Sequence, residues 1–305
     1  MSKVEFNDRV AIVTGAGVGL GRSHALELAR RGVKVVVNDL GGSVDGTGGT
    51  GTVAESVVAE IEAAGGEAMA NGANVTKPDE VEAMVAATLE RWGHVDILVN
   101  NAGILRDKSF SKMELDDFRT VVDVHLIGSA ICSKAVWNHM KERNYGRIVM
   151  TTSASGMYGN FGQSNYGAAK AGVVGLMNVL SIEGAKNNIH VNTLAPTALT
   201  RMTEGLIPED AAKLMTVESV TPALVYLAND NAPTKMIMCA GSGGYAVTQI
   251  KETQGIYLPP EQQNADFIAE NIDKITAGDD ARDMDNAGSQ TMHFVGMAMQ
   301  HLSSK

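Results

Sequence analysis

The sequence predicts an α/β fold, a doubly wound parallel sheet with helices on both faces and a helical C-terminal extension. Three observations predict it. Short runs of β-branched residues alternate with longer helix-patterned stretches from Val10 to about Ala240, and such alternation builds parallel sheets. The first run passes through Thr14, Gly15, Gly17, Gly19 and Gly21 into an Ala/Leu-periodic stretch, a strand–turn–helix suited to holding phosphate. At 305 residues and 44% hydrophobic, the chain can bury one large core and still carry an appendage.

The elements follow in order. Val10–Thr14 reads as a buried strand, and the helix after Gly21 ends at Gly32. Residues 34–39 form the second strand, and the glycine-rich run 41–51 reads as a loop rimming a ligand site. Further strands are expected at 66–71, 95–100, 147–152, 190–194 and 235–240. Helices are expected at 53–64, 78–92, 115–141, 165–185 and 218–228. Residues 195–210, with Pro196 and Pro208, follow a strand end and are placed to close over a ligand. Beyond Ser242 the strand–helix rhythm stops, which divides the chain into residues 1–245 and an extension, 246–305. Pro259-Pro260 introduces two helical patterns in that extension, near 261–276 and 289–302. The second carries Met292, Phe294, Met297 and Met299, which suit core or interface packing.

Composition excludes several classes. A net charge of −10 disfavours a nucleic-acid partner. Cys132 and Cys239 lack metal-ligand spacing, so no metal site is expected. No apolar run approaches membrane-spanning length, so no membrane insertion is expected. The first strand starts almost at once after Met1, leaving no room for a signal peptide, and the cytoplasm is the expected compartment. Without a secretory signal, the glycosylation pattern Asn74-Val75-Thr76 is taken as chance.

Two motifs carry chemistry. In the first, Gly15, Gly19 and Gly21 let the backbone approach a pyrophosphate at a helix N-terminus, with Leu20 inside the same turn. Asp39 ends the next strand, where a carboxylate accepts hydrogen bonds from ribose hydroxyls and repels a 2′-phosphate. The motif is that of a Rossmann-type site for NAD. In the second, Tyr166 and Lys170 stand at i and i+4 on one helix face, with Ser153 upstream. A phenol is a weak base near neutral pH, and an adjacent cation favours its ionised form. Ser155 competes with Ser153 for the role of the polar partner; spacing favours Ser153.

Thr14-Gly-x-x-x-Gly-x-Gly21, Asn100-Asn-Ala-Gly103, Ser153 and Tyr166-x-x-x-Lys170 together resemble the short-chain dehydrogenase/reductase family over about residues 5–245. The segments at residues 37–42, 101–110, 144–151 and 156–165 are similar to a subgroup of (3R)-hydroxyacyl-CoA dehydrogenases. That subgroup occurs within peroxisomal multifunctional enzymes of type 2, also called 17β-hydroxysteroid dehydrogenases of type 4, and as stand-alone actinobacterial proteins. The resemblance implies oxidation of a secondary alcohol with NAD. It makes Tyr166 the base, Ser153 the group orienting the substrate oxygen, and Lys170 the holder of the nicotinamide ribose. It places Asn74 and Val75 beside the adenine, Asn101, Ala102 and Gly103 along the cofactor, and Pro196 and Thr200 near the carboxamide. His125 stands where most of the family has an asparagine serving a proton relay; its part, relay or structural, is left open.

Arg106, Lys108 and Arg201 follow strand ends and are candidates to meet CoA phosphates, with solvated loop charges as the alternative reading. The expected partner is an acyl-CoA or a steroid. Two alternatives differ in class: an NADP-linked 3-oxoacyl reductase, which Asp39 opposes, and a non-catalytic nucleotide sensor, which the intact Ser153, Tyr166 and Lys170 set opposes. The helices at 115–141 and 165–185 carry more apolar residues than one sheet face needs. With the family's habit of pairing these helices, that predicts a homodimer or homotetramer.

Overall fold

Seven β-branched or apolar segments pair side by side because each is short, mostly apolar and flanked by turn residues. The computed structural model describes residues 4–47, 52–199 and 208–303. In chain order, β1 (Val10–Thr14), α1 (Gly19–Arg30), β2 (Lys34–Asn38), α2 (Thr52–Ala63), β3 (Ala68–Asn71), α3 (Pro78–Trp92) and β4 (Ile97–Asn100) form the first half. Then follow α4 (Leu115–Val122), a π-helical turn (Asp123–Ile127), α5 (Gly128–Arg143), β5 (Gly146–Thr151), α6 (Ala154–Tyr158) and α7 (Ser164–Gly184). The sheet is completed by β6 (Ile189–Thr197), α8 (Glu209–Ala212), α9 (Thr221–Ala228), β7 (Ile237–Gly241) and β8 (Gly244–Thr248).

The strand order is β3-β2-β1-β4-β5-β6-β7-β8, and the first seven in this order pair parallel throughout. Strand order therefore reverses between β1 and β4, and a crevice opens outside their carboxyl ends. In register, Val13 of β1 lies between Val37 of β2 and Val99 of β4. One apolar core lies on each face. Val13, Leu28, Val37, Ile61, Val99 and Leu224 belong to one, and Ile12, Val36, Met84, Leu98, Trp137 and Met177 to the other. This burial on both faces explains why the strands read as continuous apolar runs instead of alternating ones.

Three elements depart from the sequence expectation. The stretch 115–141 is not one helix, because the π-helical turn at Asp123–Ile127 interrupts it and α5 runs on to Arg143. Periodicity misses an inserted residue of this kind, since apolar spacing resumes after it. The sheet does not end at β7. Ser242 and Gly243 both take positive φ, +50° and +79°, and turn the chain into β8. A two-residue loop joins only antiparallel neighbours, so β8 is an antiparallel edge on a parallel sheet.

The chain divides between Val247 and Thr248. In the second unit, the expected helix at 261–276 is instead a 3₁₀ turn and two short helices, α10 (Ala265–Glu270) and α11 (Ile272–Ile275), broken at Asn271. Strands β9 (Lys251–Glu252) and β10 (Arg282–Asp283) pair antiparallel, and α12 spans Ala287–Ser303. Met292, Phe294 and Met299 of α12 are exposed. Among the described residues, no helix is long and apolar enough to cross a membrane.

Candidate active site

The turn from β1 into α1 is held by polar groups from β4 and β2. Asn101 Nδ2 donates to the carbonyls of Thr14 and Gly15 at 3.1 and 3.0 Å. Thr14 Oγ1 accepts from the Asn101 and Ala102 amides at 3.0 and 3.1 Å. Gly15 takes φ +62°, and a Cβ at Gly21 would overlap the Gly15 carbonyl oxygen, so only glycines pack this turn so tightly. Asp39, one residue past β2, accepts from the Gly17 amide at 2.8 Å and from the Gly41 amide at 2.7 Å. Its two oxygens thus brace the turn on one side and the following loop on the other.

A cleft of about 770 Å³ opens at the reversal point of the sheet. Gly15, Gly19, Leu20, Asp39, Asn74, Val75, Asn101, Ala102, Gly103, His125, Ser153, Tyr166, Lys170 and Pro196 all line it, and Gly21 lies buried beneath the turn. The glycine cradle, an acidic strand end and a chain of polar groups along one cleft fit a nicotinamide dinucleotide. Thr200 and Arg201 lie outside the described residues. Asn74 spends its carbonyl oxygen on the Thr76 amide and hydroxyl, at 3.0 and 2.9 Å. Its amide nitrogen is therefore the group it can turn to a base.

Ser153, Tyr166 and Lys170, from the end of β5 and from α7, meet at one end of the cleft. Lys170 is buried; its Nζ donates to the Thr151 carbonyl at 2.6 Å and lies 5.5 Å from the centre of the Tyr166 ring. Burial pushes its ammonium down to about 7. Burial also pushes the Tyr166 phenol up; interaction with the Ser153 hydroxyl lowers it and the Asp107 carboxylate raises it further. The sequence-level view of an ammonium simply drawing down a phenol omits this desolvation, which opposes charge on both groups.

His125 sits in the π-helical turn, 2% exposed, with its ring edge-on to Tyr166 at 5.1 Å between centroids. Its Nε2 lies 2.8 Å from the Ile104 carbonyl and its buried Nδ1 has no hydrogen-bond partner. The same Nε2 lies 3.1 Å from the Ile104 amide, so either tautomer bonds the Ile104 backbone and fixes the ring against it. Burial, with the Lys170 charge adding to it, pushes the imidazole well below its ordinary range.

Ser155, the competitor of Ser153, donates its hydroxyl to Gln163 Oε1 at 2.7 Å. Sequence reasoning missed Gln163, Asn160 and Asp107; the signal available was that Gln163 and Tyr166 stand three apart at a helix start. Arg106 and Lys108 both reach the Asp117 carboxylate, at 3.0 and 3.4 Å. Arg22 pairs with Glu60. Among the described residues, no group of three or more His, Cys, Asp or Glu side chains could hold a metal ion.

The chain matches the short chain dehydrogenase family over residues 9–211. It is 50% identical over 277 residues to peroxisomal multifunctional enzyme type 2 of Mus musculus, covering 90% of this chain and 37% of that enzyme. It is 48% identical over 237 residues to a short-chain type dehydrogenase/reductase of Mycobacterium tuberculosis, covering 78% of this chain and 83% of that protein. Among solved structures, full-length peroxisomal multifunctional enzyme type 2 of Drosophila melanogaster superposes with a TM-score of 0.80 at 34% identity, covering 98% of this chain and 51% of that one. The chain thus spans about half or less of the multifunctional enzymes it matches here.

Proposed function

The chain belongs to the short-chain dehydrogenase family, and from that premise we propose that it oxidises a secondary alcohol to a ketone with NAD, on a (3R)-3-hydroxyacyl-CoA. The convergence of Ser153, Tyr166 and Lys170 at one end of a cleft that has Asp39 lining it as well carries the reading. NAD, when bound, supplies the hydride acceptor at C4 of its nicotinamide ring. Gly15, Gly19, Leu20 and Gly21 would receive the pyrophosphate, Asp39 the adenosine ribose, Asn74 and Val75 the adenine. Ala102, Gly103 and Pro196 would line the nicotinamide half, where Lys170 holds the ribose.

Ser153 donates a hydrogen bond to the substrate oxygen and fixes it against Tyr166. Tyr166 takes the hydroxyl proton, and a protonated Lys170 beside it favours the phenolate. His125 stays neutral and carries the loop after β4 through Ile104, a positioning part that needs no charge. Asp39 is the reason to prefer NAD over NADP, since its carboxylate repels a 2′-phosphate. The Mus musculus and Drosophila relatives and the resemblance of the 101–110 and 156–165 segments support an acyl-CoA substrate.

The test follows NAD reduction with (3R)-3-hydroxyacyl-CoA, a sterol side-chain CoA ester and a 17β-hydroxysteroid. Turnover of the first with NAD is expected, with a bell-shaped pH profile: burial that holds the Tyr166 phenol high sets the acid limb, and loss of the Lys170 proton from about 7 upward sets the alkaline limb. Tyr166→Phe should cost at least about 10²–10⁴-fold in turnover and leave NAD binding intact. A variant keeping more than about a tenth of wild-type turnover, with chemistry limiting in both, would remove Tyr166 as the base.

A further inference from the structure

Beyond Ser153, Tyr166 and Lys170, the substrate end of the cleft contains a second polar network. Gln163 is its centre. Its Oε1 accepts from the Ser155 hydroxyl at 2.7 Å and from Asn160 Nδ2 at 3.0 Å, while its Nε2 donates to Asp107 Oδ2 at 2.6 Å. The three partners admit one amide orientation. A flipped amide would set its oxygen against the Asp107 carboxylate, which can only accept. The backbone is fixed as well, because the Gln163 carbonyl accepts from the Gly167 amide at 2.7 Å and so joins the first turn of α7.

The loop that carries Asp107 is clamped to the same place. Asn165 Nδ2 donates to the Arg106 carbonyl at 3.0 Å, and the Lys108 amide donates to the Gly162 carbonyl at 2.9 Å. Asp107 therefore stands between two direct bonds to the start of α7. Its neighbours Arg106 and Lys108 turn instead to Asp117.

Ser155 also touches Ser153, through its backbone. With its hydroxyl proton committed to Gln163, Ser155 presents its backbone amide to Ser153 Oγ at 3.2 Å. That bond occupies a lone pair of Ser153 and leaves its hydroxyl proton to be donated elsewhere. We infer that Gln163, oriented by Asp107, is a positioning residue for the reaction: it engages the Ser155 hydroxyl proton within the cleft and so leaves Ser153, of these two serines, the one free to donate to the substrate oxygen. The inference rests on the functional reading above only in taking that oxygen as the reacting one.

Variants Gln163→Ala, Asp107→Ala, Asp107→Asn and the double alanine variant test it, assayed with (3R)-3-hydroxyacyl-CoA and NAD. Each single alanine variant should lose about ten- to a hundredfold in kcat, the scale of a mispositioned reacting group. KM for NAD and the affinity for NADH, read by fluorescence titration, should stay at wild-type values. Asp107→Asn keeps an acceptor for Gln163 and should recover most of the rate. The double variant should be no slower than the singles, because both act through one chain of contacts. Wild-type kcat in the alanine variants, a parallel loss of NADH affinity, or an asparagine variant as slow as Asp107→Ala would overturn the inference. A wild type inert on this substrate sinks the acyl-CoA reading instead. The inference is then decided by a crystal structure of Gln163→Ala, which needs no substrate. Ser155 Oγ rotated from its wild-type direction toward Ser153 and Tyr166 supports it, and an unmoved Ser155 defeats it.

Discussion

At the scale of single residues, Asp39 holds two tasks that compete in any substitution. Its oxygens accept from Gly17 and Gly41 as well as facing the cleft. Asp39→Ala should therefore shift the preference toward NADP while leaving two backbone amides without their acceptor. Loss of charge-assisted bonds of about 1.5–3 kcal/mol predicts that NADH binds roughly ten- to a hundredfold more weakly. NADPH should gain in relative terms only. Fluorescence titration with both cofactors checks this, and a wild type that already prefers NADPH would defeat the selector role. Ser153, Tyr166, Lys170 and Asp39 were legible because their chemistry requires fixed spacing on one helix or at one strand end. Gln163 and Asp107 were not, because they meet across fifty-odd residues of chain and no local pattern joins them.

At the scale of elements, α1 and α9 are tied by buried polar contacts inside an otherwise apolar packing. His24 Nδ1 and Ser23 Oγ each lie 2.8 Å from Thr221 Oγ1. Burial pushes His24 from its ordinary 6.5 down to about 3. Between those values the unfolded chain binds a proton that the folded chain refuses, so stability falls as pH falls through this window. The loss approaches about 4–5 kcal/mol at its lower end. His24→Gln should flatten that dependence in denaturant unfolding between pH 6.5 and 3. An unchanged slope would assign the acid sensitivity to other groups, buried His125 first among them. The helix and strand types were legible from apolar period, yet the π-helical turn and β8 were not. A turn that adds one residue leaves the period intact on either side, and an edge strand exposed along most of its length carries no burial pattern to read.

At the scale of the whole molecule, we propose a homodimer at least. Ile127 beside α5, and Val179 and Ile182 on α7, are 44%, 53% and 52% exposed. Val121, Val136, Met140, Val173 and Met177 of the same stretches are buried in the chain's own core. The surplus apolar residues seen in the sequence are thus divided between core and surface, and those on the surface are costly in water unless a second copy covers them. Light scattering at micromolar concentration should give at least twice the 32.1 kDa of one chain, and Val179→Asp should lower that mass. A wild-type mass near one chain would defeat the dimer.

The sequence by itself determined the parallel sheet, the glycine turn with its acid, and the Tyr166–Lys170 pair. Each is a local regularity: a period, a turn or a helical spacing, written within a few tens of residues. The tertiary structure alone decided which groups are charged and which way protons face. Burial sets Tyr166, Lys170 and His125 away from their ordinary ranges, and the bonds from Asp107 through Gln163 set the direction of the Ser155 hydroxyl. Desolvation and hydrogen-bond polarity depend on what surrounds a group in space, which distant segments supply only once the chain has folded.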